Sequence, residues 1–140
     1  MHAAALALAT ALAAVGLVHV SWALGEPGSP SAVVPERDGA PAFTPGAPAT
    51  LGVAVLLLVA AAVVLGAAGL VPLPVPRRWL VWGVWALGGM LLLRAVGEFR
   101  YVGLFKRVKG TRFADLDTRL YTPLCLALAA LAFVVAARAG

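Results

Sequence analysis

Acidic residues are scarce in this chain, with six Asp and Glu against eleven Lys and Arg in 140 positions, and charged residues of every kind reach only 12%. Soluble domains carry roughly 25% charged and about 45–50% apolar residues. Here apolar residues make up 62% and the mean hydropathy is +0.96. A soluble fold of this size cannot hide so much apolar surface, so lipid is the expected solvent for most of it. Cysteine is nearly missing as well. Cys125 stands alone inside an apolar run, which excludes an intrachain disulfide and a Cys-x-x-Cys pair and leaves a small helix-packing residue. With two histidines, one of them at position 2, no metal site built from protein ligands alone is expected, and no cofactor. A Gly-rich phosphate loop, a His-Glu-x-x-His helix and a Ser-elbow motif are also absent. The formal charge of +5 does not point to nucleic acid. Its basic residues lie in short stretches beside apolar runs, where they set topology or meet anionic headgroups.

What remains is an all-α pattern. Apolar segments at about 3–24, 49–71, 79–97 and 120–137 approximate the ~20 residues a bilayer core requires at ~1.5 Å per residue. They predict one domain over 1–140, with four transmembrane helices in an antiparallel bundle. The third span reaches full length only with Arg94 inside it. The fourth opens near Pro123, which is tolerated in a first helical turn, so Thr122 is its expected N-cap. The first span lacks a basic n-region, and His19 and Trp22 fall where a cleavage site would lie, so it reads as an uncleaved helix rather than a signal peptide.

The connections differ in character. Gly25–Pro48 is rich in Pro, Gly and Ser and carries Glu26, Glu36, Arg37 and Asp38; at this length it is either mobile or folded back as a cap. Pro72-Leu-Pro74-Val-Pro76-Arg-Arg78 cannot be helical and predicts a stiff turn between antiparallel neighbours. The third connection is charged and amphipathic. Phe99, Val102, Phe105 and Val108 recur every three residues among basic ones, as in a segment lying in the membrane interface. Lys106, Arg107, Lys109 and Arg112 are its expected headgroup contacts. Lys and Arg outnumber those of the opposite side (Arg77, Arg78, Arg138) where the first and third connections lie, which favours both termini outside.

Most of the charge falls between Arg94 and Arg119. Arg94 and Glu98, at i and i+4, share a helical face and can pair. A lone Arg at mid-membrane costs ~2.5–3.5 kcal/mol on insertion scales. Such a pair marks either a polar cavity or, alternatively, an interfacial anchor beside a solvated Glu. His19 and Trp22, at i and i+3, share a face near the end of the first span. Topological parity puts that end on the same membrane side as Arg94, Glu98 and Tyr121. His19, Trp22, Arg94, Glu98, Arg100 and Tyr121 are therefore the candidate ligand-binding set. His19 and Glu98 are its possible proton carriers. The competing assignment places Trp22 in the aromatic belt and His19 in a helix–helix hydrogen bond. Glycines and alanines along the spans, such as Gly66, Gly83 and Gly88, allow close helix contact.

The order of polar residues in His19-Val-Ser-Trp22-Ala-Leu-Gly25, Val34-Pro-Glu36-Arg37, Gly97-Glu-Phe-Arg100-Tyr-Val-Gly103, Phe105-Lys-Arg107 and Asp117-Thr-Arg119-Leu-Tyr-Thr-Pro123 resembles a family of small bacterial four-span membrane proteins, domain of unknown function 3995. The resemblance covers nearly the whole chain and implies a bacterial inner-membrane protein. It brings no activity and no catalytic residue. Cysteine-dependent quinone reductases of similar size are excluded, because Cys125 has no partner. The reading that follows is a small multi-pass protein in the lipid bilayer that binds a lipid-like or hydrophobic ligand or a membrane partner, including a second copy of itself. The alternatives are a membrane-embedded isomerase-like enzyme and a small transporter subunit.

Overall fold

The computed structural model describes residues 1–25 and 30–140. In chain order the elements are α1 (His2–Ala23), the single turn α2 (Pro30–Val33), a hairpin of β1 (Glu36–Arg37) and β2 (Ala40–Pro41), α3 (Ala47–Ala67), α4 (Arg77–Val96), α5 (Arg112–Leu116), a π-turn (Asp117–Tyr121) and α6 (Thr122–Ala139). α5, the π-turn and α6 form one continuous run, so four helical runs are long and apolar enough to cross a membrane. The fold is all-α, as the composition required. Helices suit this solvent because each satisfies its own backbone hydrogen bonds.

All four runs contribute to one core, in which Leu8, Leu12, Val64, Val84 and Val135 are fully enclosed. Much of the rest of that core is alanine, including Ala5, Ala9, Ala61, Ala67, Ala132 and Ala136. Lipid tails are as apolar as leucine, so burial gives little drive between helices and close packing of small residues takes over. Leu6, Leu17, Leu56, Trp82, Met90 and Leu93 face outward. Glycines permit close approaches between the helices, as two of them illustrate. A Cβ on Gly16 would lie 3.2 Å from Leu58 Cγ, and one on Gly88 would lie 2.6 Å from Phe133 Cε1. Phe133 uses that space to lie on α4, where its ring meets Trp85 at 5.5 Å.

The connection after α3 is the tight turn the prolines predict. Gly69, at φ +74°, lets Leu70 N–H reach the Leu65 carbonyl at 2.9 Å. This closes the end of α3 in the manner of a glycine C-cap. Of the two alternatives for the first connection, its described part is folded as a cap; Glu26 lies outside the described residues. Asp38 and Gly39 both have positive φ, the type I′ turn that an Asp-Gly pair favours, and they pair Arg37 with Ala40 across the hairpin. Val34 and Pro35 are buried beneath it, and the Tyr121 hydroxyl donates to the Ala32 carbonyl at 3.0 Å.

The fourth span departs from expectation. It begins at Arg112 rather than near 120, and Thr122 is not its N-cap. Thr111 caps the helix instead, its Oγ1 accepting from Ala114 N–H at 3.1 Å. The cause of the difference is Pro123. Its ring excludes the normal bond to the carbonyl four residues back. The helix accommodates it by widening rather than by starting afresh, and Thr122 N–H donates to the Asp117 carbonyl five residues back. The third connection differs too, since residues 97–111 contain no regular helix and fold back on the end of α4.

Gly88→Ala is expected to lower the stability of the purified protein, by roughly 1–3 kcal/mol for overpacking a filled site. Phe133→Ala in the same chain should recover part of the loss. Unfolding by detergent or heat measures both; equal losses with and without Phe133 would contradict the contact.

Candidate functional site

Two glycines shape the segment that follows α4. Gly97, at φ +83°, stops the helix, and Gly103, at φ +90°, comes back against it. A Cβ on Gly103 would lie 2.6 Å from Gly97 Cα, so neither position admits a side chain without moving backbone. Leu104 N–H then donates to the Ala95 carbonyl at 2.9 Å, and Arg107 and Val108 N–H both donate to the Arg100 carbonyl. The result is a compact loop whose Gly103 amide points at the last helix.

What it points at is Asp117. This carboxylate is completely buried and accepts from four donors. Arg94 Nη2 donates to Oδ1 at 2.8 Å. Gly103 N–H at 2.8 Å, Lys106 Nζ at 3.0 Å and Thr122 Oγ1 at 3.2 Å all donate to Oδ2. Lys106 also donates to the Gly103 carbonyl at 3.1 Å. The π-turn makes the Thr122 contact possible. At 100° per residue, a regular helix sets positions five apart roughly 140° from each other. An i to i+5 turn stacks them, which fits the recurrence of such turns at special sites in helices. Arg94 remains partly exposed, and its Nη1 is buried without an acceptor among the described residues.

Several expected roles change here. Arg94 does not pair with Glu98, since its partner is Asp117. Gly97 ends the helix between them, so the i, i+4 geometry breaks and Glu98 turns to accept from the Tyr101 amide. Lys106 is not a headgroup contact. It is 7% exposed and held by Asp117, because a buried carboxylate without a cation is costly. Arg107, Lys109 and Arg112 remain exposed. Arg100 lies over its neighbour Tyr101, 5.1 Å from the ring centre. His19 and Trp22 do share a face, with ring centres 4.8 Å apart. His19 Nδ1 is bonded within its own helix to the Val15 carbonyl at 2.8 Å, so the expected helix–helix bond is not formed there. Tyr121 holds the first connection through Ala32.

Three of the six candidate residues line two clefts at the capped end, Trp22 one and Glu98 and Arg100 the other, while Tyr121 lines neither. One, about 250 Å³, has walls of Trp22, Val33, Val34, Phe43 and Pro45. The other, about 400 Å³, is lined by Arg37, Phe43, Glu98, Arg100 and Tyr101. Phe43 belongs to both. Neither His19 nor Arg94 lines either one, and no hydrogen bond joins His19 to Glu98 in the described structure.

Asp117 and Phe43 were missed from sequence. Asp117 had a readable signal, an acid six residues before a proline at the mouth of an apolar run and within reach of the otherwise unmatched Arg94. Phe43 had none. The profile of a family described as Protein of unknown function (DUF3995) matches residues 12–132. No curated protein and no solved structure matches the chain.

Replacing Asp117 by Asn should leave two cations without their counter-charge and cost about 3–5 kcal/mol, the usual result of breaking a buried ion pair from one side. Glu98→Gln should change stability far less, and Arg94→Gln should lose most of its effect once Asp117 is already Asn. A double-mutant unfolding cycle measures this; strictly additive losses would contradict the network.

Proposed function

Since the chain belongs to the DUF3995 family of proteins of unknown function and is a multi-pass membrane protein by its four apolar helices, we propose that it is a non-catalytic binding protein for a single-chain, anionic amphiphile. One observation carries this reading. The apolar cleft against Trp22 and the cleft beside Arg37, Arg100 and Glu98, whose two cations outnumber its one acid, have Phe43 as a common wall. A lipid-like molecule with an anionic head needs those two environments next to each other. Ligand sites commonly combine apolar walls with a few fixed polar groups. The head would meet Arg37 and Arg100, the tail would lie against Trp22, Val33 and Val34, and Phe43 would pack at the junction.

The Asp117 network serves this reading by holding the floor. Gly103 and Lys106 fix the 97–108 loop to the last helix and Arg94 ties the end of α4 to the same carboxylate, and Glu98, Arg100 and Tyr101 sit on that loop. The isomerase-like alternative finds no support in the same geometry, because His19 and Glu98 are each engaged within their own segments. We place the protein in the bacterial inner membrane with both termini outside. Arg37, Arg100, Arg107, Lys109, Arg112 and Arg119 lie on the capped side, against Arg77, Arg78 and Arg138 on the other.

A fatty acid carrying a diazirine on its chain tests the proposal in reconstituted protein. Cross-links are expected in peptides covering 33–50 and 98–102, and should fall several-fold in Arg100→Gln or Trp22→Ala protein of unchanged helicity. Cross-links confined to the outward faces of α3 and α4 would contradict it.

A further inference from the structure

The opposite end of the molecule carries a different electrostatic pattern. Among the described residues, every acidic side chain (Glu36, Asp38, Glu98, Asp115, Asp117) belongs to the first connection, the third connection or the start of the last run. The far end has Arg77 and Arg78 at the start of α4 and Arg138 at the end of α6, with no Asp or Glu side chain beside them among the described residues. The capped end holds more cations, but its acids offset most of them, and two of its cations are already committed to Asp117. The two ends therefore carry a similar surplus of positive charge, but at the uncapped end no Asp or Glu side chain among the described residues is interspersed with it.

Arg77 and Arg78 lie at the mouth of a cleft of about 450 Å³, walled on the α4 side by Val81, Trp82 and Trp85 and on the α6 side by Ala139 and Gly140. Arg78, Trp82 and Trp85 follow i, i+4, i+7 spacing, which makes one stripe down the helix. At ~1.5 Å per residue the stripe runs about 10 Å inward from the charged end. Trp82 is 68% and Trp85 40% exposed, so both rings are available to lipid. The wall is also held in place. Trp85 packs on Phe133, which Gly88 lets settle against α4, and the Arg78 guanidinium lies 5.5 Å from the centre of the Trp79 ring.

We propose that this cleft is a binding site for one anionic glycerophospholipid of the surrounding bilayer. Its phosphate would sit between Arg77 and Arg78, and an acyl chain would run along Trp82 and Trp85. Charge complementarity selects this occupant. Guanidinium groups pair with phosphate oxygens in a forked geometry, no Asp or Glu side chain lines the cleft, and the apolar stripe continues directly below. A zwitterionic lipid fits the same shape but brings a positive group beside two guanidinium groups. The site is separate from the capped-end clefts and does not depend on what they bind.

Tryptophan quenching by bromine-labelled lipids reads the site directly. In full-length protein carrying Trp22→Phe and Trp79→Phe, Trp82 and Trp85 are the remaining reporters. In mixed bilayers, brominated phosphatidylglycerol should associate with them at least about fivefold more strongly than brominated phosphatidylcholine, the preference one basic residue near an anionic surface provides. The preference should fall towards one in Arg77→Gln/Arg78→Gln protein and survive Arg107→Gln/Lys109→Gln. If the first double variant does not fold, raising the salt on the unsubstituted mouth should shrink the preference in its place. A ratio near one before substitution, a ratio unmoved by both the variant and salt, or equal loss in the Arg107/Lys109 variant would overturn the proposal.

Discussion

A single buried carboxylate, Asp117, is the point on which the polar half of this molecule depends. An isolated charge in a low-dielectric interior is costly unless paired and hydrogen-bonded. Asp117 meets that demand with two cations, a backbone amide and a hydroxyl. The four donors come from three places: Arg94 from the last turn of α4, Gly103 and Lys106 from the loop, Thr122 from beyond the π-turn. Satisfying one charge therefore joins three segments. The apolar core could assemble the four helices without it, but small-residue packing has no means of ordering a charged loop at the membrane boundary.

The local geometry is arranged around that centre. Pro123 forces the helix to widen, and the widening brings Thr122 onto Asp117. Gly97 and Gly103 permit the backbone-to-backbone approach that aims the Gly103 amide. Tyr121, the last residue of the π-turn, reaches the other way and holds the first connection through Ala32. Both connections of the capped end are thus referenced to the same turn of helix; of the two clefts that share Phe43, one lies where those connections meet and the other between the first connection and the ends of α1 and α3.

The apolar architecture was legible in the sequence because lipid solvation imposes long unbroken runs, and three of the spans fall within a few residues of their expected bounds. The fourth was misplaced for an instructive reason. A proline near the head of an apolar run reads as a helix start, whereas here a π-turn absorbs it inside a longer helix. Arg94 was recognised as a charge needing a partner, but the nearest acid in sequence, Glu98, lies beyond a glycine that ends the helix. The true partner is 23 positions away, and helical periodicity carries no information about such a pairing. Lys106 was grouped with Arg107 and Lys109 because alternation in sequence does not reveal which cation of a basic cluster turns inward. The Asp38-Gly39 pair is itself a hairpin signal, but the Pro and Gly content around it masks the two short strands it joins.

The account rests on Asp117 and Lys106 being in direct contact inside the membrane-embedded protein. Solid-state NMR of bilayer samples, with carbon-13 at the Asp117 carboxylate and nitrogen-15 at Lys106 Nζ, measures this without substitution. A through-space correlation between the two, with the ammonium shielded from water exchange, is the predicted result. An ammonium that exchanges freely with water and shows no transfer to the carboxylate would contradict it.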